Sequence, residues 1–336
     1  MKSLIVAELS ANHNGKKSIA IDTVKAAKRA GAGAIKLQTY TADTLTLNCH
    51  NDDFKIKQGT LWDGRYFYDL YKEAYTPWEW HEELFHVARE EGLICFSTPF
   101  DKTAVDFLEE LNNPIYKIAS FEITDVNLIE YAAKKMKPMV ISTGIATLED
   151  IQLAVDTCRK VGNNDITLLK CTSSYPAPID EANLMMIPDL AKHFGVKSGL
   201  SDHTIGSVSA IVAVTLGAVM IEKHFIIDRS IGGPDAAFSM NEGEFSRMVQ
   251  DIRCAEKAIG RVDYEPTEKM LSGRVFSRSL YVAEDMKKGE IITEQNVRSV
   301  RPGYGLHPKY LKEILGKKVN RDLTKGTRVD MIYIEQ

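Results

Sequence analysis

Two histidines that each end an apolar run beside an acidic residue are the side chains of this sequence best spaced to do chemistry together. His203 ends the segment GLSDH (199–203), and His224 ends the segment MIEKH (220–224). The two lie 21 positions apart (203 to 224), which leaves room for a helix between two parallel strands. On neighbouring strands both imidazoles would project from one rim, where they could hold a metal ion or exchange protons. Taken alone, each histidine fits better as a separate polar residue in a loop.

Length and composition narrow the class of protein. The chain has 336 residues, of which 44% are hydrophobic and 26% charged, and this predicts one large soluble domain plus a small one. Its net charge of −4 offers no basic field for nucleic acid or an anionic membrane. The apolar start meets Glu8 at once, so it is typical of a strand and not of a signal peptide. Five scattered cysteines without CxxC spacing predict free thiols in the cytoplasm.

The elements that must position the histidines form a regular series. From residue 4 to about residue 260, short β-branched runs alternate with amphipathic stretches. The predicted strands are 4–7, 34–38, 93–97, 115–119, 139–142, 166–170, 199–203 and 220–224. Eight such strand–helix pairs predict an α/β fold, a (β/α)8 TIM barrel. The rival, a doubly wound open sheet, usually carries a glycine-rich turn after its first strand, and residues 8–15 are not GxGxxG.

The pattern changes after the eighth pair. Residues 263–275 are polar and contain Pro266, which is typical of a linker. Four short runs follow that predict strands in a small β-rich domain: 279–283, 286–292, 297–301 and 328–334. We therefore expect a barrel over 1–262, a linker over 263–275 and a β-rich domain over 276–336. A domain this small is marginal alone and is expected to lean on a barrel, its own or a partner's.

The carboxyl ends of the strands are where a barrel of this type builds its active site. Besides the two histidines, these positions hold Glu8, Lys36, Gln38, Thr98, Phe100, Lys117, Ser120, Glu122, Ser142, Ser173, Tyr175, Ser201 and Asp235. Two lysines among many hydroxyls suit an anion that carries phosphate and carboxylate groups. For Lys36 and Lys117, a Schiff base or an ion pair with Glu8 or Glu122 remain alternatives. Cys171 fits a packed thiol better than a nucleophile, because no paired histidine is evident.

The histidine pair also indicates a type of metal site. Two imidazoles with no evident third protein ligand leave coordination positions open for water and a substrate carbonyl. Such a site suits a divalent ion with a catalytic role rather than a closed structural zinc site. We expect Mn²⁺ or Mg²⁺, although imidazole ligands alone do not decide between them.

Seven ordered blocks of this sequence resemble the sialic acid synthase family. They are AE…NHNG (7–15), KLQT (36–39), FSTPF (96–100), YKIAS (116–120), STG (142–144), GLSDHT (199–204) and EKHF (222–225). The resemblance covers the whole chain, including an antifreeze-like (SAF) domain around 301–303. It implies a transferase that condenses phosphoenolpyruvate with an amino-sugar aldehyde and water to give a nonulosonic acid and phosphate.

The resemblance also implies a role for each matching residue. The phosphoenolpyruvate positions are Lys36, Thr98, Lys117, Ser120, Ser142 and Ser201, and the metal ligands are His203 and His224. Glu8 matches an acid beside the metal and the reacting carbons, and Glu8 or Glu122 would handle protons. The sugar-side positions are Gln38, Glu122, Tyr175 and Asp235, while Ser173 stands where the family often has asparagine. Arg301 matches an arginine that reaches into the other subunit's barrel, which implies a domain-swapped homodimer.

Three local segments resemble the pseudaminic acid synthase branch of that family: 10–13, 61–77 and 170–176. That branch uses 2,4-diacetamido-2,4,6-trideoxy-L-altrose. Segment 61–77 lies in the long connection after the second strand, where loop variation can set specificity, although its aromatic residues also fit a packed flap. The nearest alternative is the same chemistry on N-acetylmannosamine or on a legionaminic acid precursor. More distant ones are a Schiff-base aldolase and a carbohydrate- or ice-binding module on an inert barrel.

Overall fold

The computed structural model describes residues 2–335 and divides into two compact units, one that ends at Gly260 and one that begins at Arg261. The first unit is a closed barrel of eight parallel strands with helices between them, which confirms the predicted TIM barrel. The strands are β1 (Leu4–Glu8), β2 (Ala34–Thr39), β3 (Ile94–Pro99), β4 (Tyr116–Ile118), β5 (Met139–Ser142), β6 (Ile166–Cys171), β7 (Lys197–Asp202) and β8 (Met220–His224).

The helices of this unit lie mostly where the amphipathic stretches predict them. They are α1 (Lys17–Arg29), α2 (Ala42–Leu45), α3 (Phe67–Ala74), α4 (Trp78–Glu90), α5 (Lys102–Glu110), α6 (Val126–Ala133), α7 (Leu148–Lys160), α8 (Met186–Phe194), α9 (Val208–Thr215) and α10 (Glu242–Ile259). A capping box begins α7, because Thr147 Oγ1 accepts from the Asp150 N–H at 3.2 Å while the Asp150 carboxylate accepts from the Thr147 N–H at 2.9 Å. Among the helices of residues 2–335, none is both long and apolar enough to span a membrane.

Strict alternation along the strands gives the barrel interior two layers. One set of inward side chains forms an apolar plug: Val6, Ala34, Phe96, Val140, Leu169 and Met220. Two residues later on each of those strands, and therefore on the same face, stand Glu8, Lys36, Thr98, Ser142, Cys171 and Glu222. The residues between them, such as Ile35 and Ile221, pack outward against the helices. At the carboxyl ends of the strands, a layer of mostly polar side chains therefore lies next to this apolar plug.

The second unit contains fewer strands than the sequence predicts. Its regular strands are β9 (Ser279–Val282) and β10 (Val297–Val300), which pair antiparallel. The predicted strands at 286–292 and 328–334 are wrong, because these stretches form only isolated bridges and a 3-10 turn at Met331–Tyr333. The first stretch is broken by a turn in which Gly289 has φ +84°, so its apolar ends cannot form one strand.

Two short helices complete the second unit. The helix α11 (Glu268–Ser272) lies inside the stretch that the sequence predicts as a linker, and the Thr267 side chain caps it by accepting from the Met270 N–H. The helix α12 (Leu311–Ile314) packs Ile314 into a small core with Leu280 and Val297.

Gly199 lies where β7, which ends just before His203, packs closely against β8, which ends at His224. A Cβ at this position of β7 would press on the Met220 carbonyl oxygen of β8 and on the Leu169 side chain. We expect Gly199→Ala to lower the free energy of unfolding by about 1–3 kcal/mol, because the strands must separate to admit it. Urea unfolding of the purified protein measures this change.

Gly243 in α10 provides the matched control. A Cβ there would meet Asn241 Oδ1 at 3.6 Å, an ordinary contact, and alanine is favoured over glycine in a helix by about 1 kcal/mol. Gly243→Ala should therefore leave the protein at least as stable as the wild type. Equal losses of stability in the two variants would contradict the packing argument.

Candidate active site

Four charged side chains form an alternating network in the polar layer of the barrel. Lys36 contacts the Glu8 carboxylate, and its Nζ lies 3.3 Å from Glu222 Oε1. Lys117 Nζ donates to the same Glu222 oxygen at 3.0 Å. All four side chains are buried, so each charge depends on an opposite charge beside it. The two acids and two lysines leave the network with no net charge.

The network shifts the pKa values of its members. Burial lowers the pKa of Lys36 to about 7, even though Glu222 opposes this shift. Burial would raise the pKa of Glu222, but the charges of Lys117 and Lys36 more than offset it, and the net shift is downward. Glu222 therefore stays ionised and balances the two lysines.

The structure alters one part of the predicted charge pairing. The ion pair between Lys36 and Glu8 is present, whereas Lys117 pairs with Glu222 and not with Glu122. Glu222 was not among the predicted site residues, although a signal was available. It stands two residues before His224 on the same strand, so both side chains face the barrel interior.

Hydroxyl groups surround the two lysines. Ser201 Oγ donates to Glu222 Oε1 at 2.9 Å, and Lys36 Nζ donates to Thr98 Oγ1 at 3.4 Å. Ser120 Oγ accepts from a backbone N–H at 3.1 Å. Ser120 and Ser201 border a small polar pocket of about 50 Å³, whose lining also includes Glu8, Lys36, Lys117, Ser142, His203 and Glu222, whereas Thr98 lies outside this lining. Lysines and hydroxyls facing one small space suit the oxygens of an anion.

Several buried polar atoms in this region have no hydrogen-bond partner among the described residues. They are Ser142 Oγ, Glu122 Oε2, Glu222 Oε2 and His224 Nδ1. Buried polar atoms in native proteins are nearly always paired, so a cluster of unpaired ones indicates where the polar atoms of a ligand bind.

The two histidines lie side by side at the rim, with ring centroids 5.4 Å apart. His203 Nδ1 lies 3.0 Å from the Thr172 carbonyl oxygen, so this nitrogen donates and Nε2 keeps a lone pair for coordination. Burial and the neighbouring His203 lower the pKa of His224, which keeps its imidazole neutral, as a metal ligand must be. Within residues 2–335 there is no group of three or more His, Cys, Asp or Glu side chains that could hold a metal. Two imidazoles alone would leave the other coordination positions of a bound ion to water or substrate.

A larger cavity of about 580 Å³ adjoins the polar pocket. The two share Gln38, Ala119, Tyr175 and His224 in their linings. Six predicted substrate residues line the larger cavity: Gln38, Phe100, Glu122, Ser173, Tyr175 and Asp235. The predicted residues thus divide between two connected spaces, with the lysines in the small one.

Hydrogen bonds hold the polar side of the larger cavity in place. Gln38 Nε2 donates to Glu8 Oε1 at 3.0 Å and to Ser10 Oγ at 3.1 Å. Ser10 Oγ in turn donates to Asp235 Oδ2 at 2.5 Å. Burial raises the pKa of Glu122 to about 7, so this carboxyl can carry a proton near neutral pH.

No histidine paired with Cys171 is evident from the sequence, but the structure places His203 Nδ1 3.7 Å from its Sγ. The thiol is buried, and the same nitrogen also faces the Thr172 carbonyl oxygen at 3.0 Å. Arg301 lies in the second unit directly after β10 and is exposed.

Comparison with known proteins gives a consistent pattern. Residues 23–264 match the model of the NeuB family, and residues 277–329 match the SAF domain. The chain is 50% identical to the pseudaminic acid synthase of Campylobacter jejuni over 97% of this chain and 94% of the relative. It is 51% identical to the pseudaminic acid synthase of Helicobacter pylori over 99% of this chain and 98% of the relative. The crystal structure of an N-acetylneuraminic acid synthetase from Leptospira borgpetersenii superposes with a TM-score of 0.72 at 29% identity, covering 81% of this chain and 90% of that one.

The charge balance of the network can be tested without substrate. Lys117→Met leaves the buried Glu222 with Lys36 as its one cationic neighbour, and we expect a loss of about 3–5 kcal/mol in the free energy of unfolding. Adding Glu222→Gln restores neutrality, so the double variant should be more stable than Lys117→Met alone. Denaturant unfolding of both variants measures the difference, and a double variant less stable than the single one would refute the coupling.

Proposed function

This chain belongs to the NeuB family, and from this premise we propose that it condenses phosphoenolpyruvate with 2,4-diacetamido-2,4,6-trideoxy-L-altrose and water to give pseudaminic acid and phosphate. The observation that carries the proposal is the identity of 50–51% to the Campylobacter and Helicobacter pseudaminic acid synthases over nearly the full chain. The polar pocket and the adjoining cavity support it, because the reaction needs one site for a small anion and another for a sugar.

Phosphoenolpyruvate is proposed to bind in the lysine pocket. Its carboxylate and phosphate oxygens would accept from Lys36 and Lys117 and from the hydroxyls of Thr98, Ser120, Ser142 and Ser201. The unpaired Ser142 Oγ supports this assignment, since a phosphate or carboxylate oxygen would give it a partner. The acids of the network hold the two lysines in place before the substrate arrives.

The sugar aldehyde is proposed to bind in the larger cavity, with C1 near His224. Its polar groups would bond to Gln38, Glu122, Tyr175 and Asp235, with Phe100 and Ser173 beside them. Glu122 is proposed as the proton donor to the aldehyde oxygen, because a pKa of about 7 lets a buried carboxyl hold a proton at neutral pH. Glu8 contacts Lys36 and accepts a hydrogen bond from Gln38 Nε2, and it is proposed to orient Gln38 and to accept a proton from water.

His203 and His224 are proposed to hold Mn²⁺ or Mg²⁺. The unpaired His224 Nδ1 supports this, as does the carbonyl that fixes the His203 ring. A divalent ion bound there supplies Lewis-acid polarisation of a carbonyl oxygen.

The bond changes balance with these residues in place. C3 of phosphoenolpyruvate bonds to C1 of the aldehyde, whose oxygen receives a proton from Glu122. Water adds at C2 and gives one proton to Glu8. The bond between C2 and the phosphate ester oxygen then breaks as the C2 ketone forms, and the released phosphate takes up the proton of the C2 hydroxyl. The two lysines stabilise the negative charge on the departing phosphate. The alternative Schiff-base aldolase is disfavoured, because Lys36 and Lys117 both lie in ion pairs with carboxylates.

Released phosphate provides the direct test of this function. Phosphoenolpyruvate and the diacetamido sugar should give phosphate and pseudaminic acid in equal amounts, and N-acetylmannosamine or the legionaminic acid precursor should react far more slowly. A chelator should abolish turnover and added Mn²⁺ should restore it. Faster turnover of either other sugar would overturn the sugar assignment, and borohydride trapping of substrate on Lys36 or Lys117 would favour the aldolase.

The metal ligands can be tested by a readout other than activity. We expect His203→Ala to bind Mn²⁺ at least tenfold more weakly in equilibrium dialysis, since one of two protein ligands is gone. His193→Ala on the outer helix α8 is the matched control and should bind Mn²⁺ like the wild type. Full metal binding and activity in His203→Ala would remove His203 from the site.

We also propose that the chain works as a domain-swapped homodimer in the cytoplasm, with Arg301 completing the partner's site. Large apolar side chains exposed after the barrel strands support a covered face: Phe121, Ile145, Leu148, Met185 and Ile205. In the second unit Val262, Tyr264 and Phe276 are also exposed. Five unpaired cysteines fit a reducing compartment.

Sharing of the site between subunits predicts complementation. Sedimentation should give twice the 37.6 kDa of one chain. A heterodimer of one Lys117→Met chain and one Arg301→Ala chain, isolated with two tags, should recover activity that both parent homodimers lack. This follows because the Arg301→Ala barrel keeps Lys117 and receives the intact arginine of the partner subunit. An inactive heterodimer would show that Arg301 acts within its own chain.

A further inference from the structure

The wall of the larger cavity that comes from the connection between β2 and β3 differs in chemistry from the strand ends. The connection contributes five wholly apolar side chains, Leu45, Ile56, Phe67, Leu70 and Ala74, which we call the apolar wall. The strand ends and the loops after them contribute Gln38, Glu122, Tyr175, His224 and Asp235. One cavity therefore has a polar side next to the lysine pocket and an apolar side that the connection builds.

The apolar wall is held by hydrogen bonds and aromatic contacts. The Ile56 N–H donates to the Arg65 carbonyl oxygen at 2.9 Å, and the Ile56 carbonyl oxygen accepts from the Gly64 N–H at 2.9 Å. Trp62 Nε1 donates to the Pro234 carbonyl oxygen at 3.2 Å, and its ring lies 5.6 Å from that of Tyr175. These contacts join the connection to the loops after β6 and β8, so the wall is a fixed part of the cavity.

We propose that the apolar wall binds the C6 methyl and the C4 acetamido methyl of the sugar and thereby selects 6-deoxy amino sugars. This inference rests on the proposed function, because that reaction brings C1 to the polar side. The atoms from C4 to C6 are then the ones furthest from the reacting carbon. A methyl group loses nothing against these five side chains, whereas a C6 hydroxyl that faces them finds no hydrogen-bond partner among them.

Polar groups of the same connection also line the cavity and can bond to the acetamido group. They are the side chains of Gln58 and Thr60 and the hydroxyl groups of Tyr40 and Tyr71. Gln58 Oε1 accepts from the Lys57 N–H at 2.8 Å, which directs the amide and leaves Gln58 Nε2 as a donor for the acetamido carbonyl oxygen. An acetamido group therefore suits this lining, because its methyl can face the apolar wall while its carbonyl oxygen accepts from Gln58 Nε2.

Leu45 and Leu47 allow a matched test of the apolar wall. Both belong to the same connection, but Leu45 lines the cavity whereas Leu47 lies outside the lining and is 66% exposed. Phosphate release is measured with the diacetamido-trideoxy sugar and with its counterpart that carries a C6 hydroxyl. We expect Leu45→Asn to raise KM for the 6-deoxy sugar about tenfold. The ratio of kcat/KM for the 6-deoxy sugar to that for the C6-hydroxyl sugar should fall, while KM for phosphoenolpyruvate stays unchanged. Leu47→Asn should match the wild type.

The outcomes separate this inference from the function on which it rests. If Leu45→Asn does not unfold cooperatively, Phe67→Gln replaces it, because Phe67 is a partly exposed residue of the apolar wall. The same kinetic constants are then measured for this variant. An unchanged preference in a folded variant overturns the inference and leaves the function intact. A wild-type protein that turns over N-acetylmannosamine but not the diacetamido sugar overturns both.

Discussion

The buried network of Glu8, Lys36, Glu222 and Lys117 is the constraint on which the site depends. A lysine ammonium in a barrel interior is tolerated only beside an opposite charge, and each lysine here has one. Because the network is neutral, an entering anion meets lysines that are already positioned, and the reorganisation needed to bind it is small. The same neutrality makes the barrel sensitive to any change that removes a single member, which couples stability to function at these four positions.

The apolar plug below the network makes the arrangement possible. Val6, Phe96 and Met220 fill the barrel at the level beneath the charges and exclude water there. The polar side chains stand two residues later on the same strands, so strand geometry sets their height above the plug. The connection between β2 and β3 forms a different part of the cavity from this layer. A substitution in the connection can therefore reshape the larger cavity without changing the charged layer.

Much of the fold was predictable because its signals are local. Eight β-branched runs with amphipathic stretches between them identify the barrel, and strand-end positions identify most residues that line the smaller pocket. The larger cavity was less predictable, because much of its lining comes from the connection between β2 and β3. The partner of Lys117 was not predictable, because the stagger of the closed barrel decides which acid faces which lysine. The runs at 286–292 and 328–334 misled for a related reason. Residues in these runs form isolated bridges. A short alternation of apolar and polar residues looks the same whether the segment forms an isolated bridge or a strand.

Barrel closure has a consequence for how this chain reaches its native state. β1 pairs with β8, and Glu8 stands opposite His224 in that register. During synthesis Glu8, Lys36 and Lys117 emerge long before Glu222, so the chain carries an unbalanced set of charges until the last strand is made. Two lysines and one acid cannot be taken out of water together at low cost, so an incomplete barrel keeps this face hydrated. Glu222 is therefore the last charge that the nascent chain needs before the interior of the barrel can close.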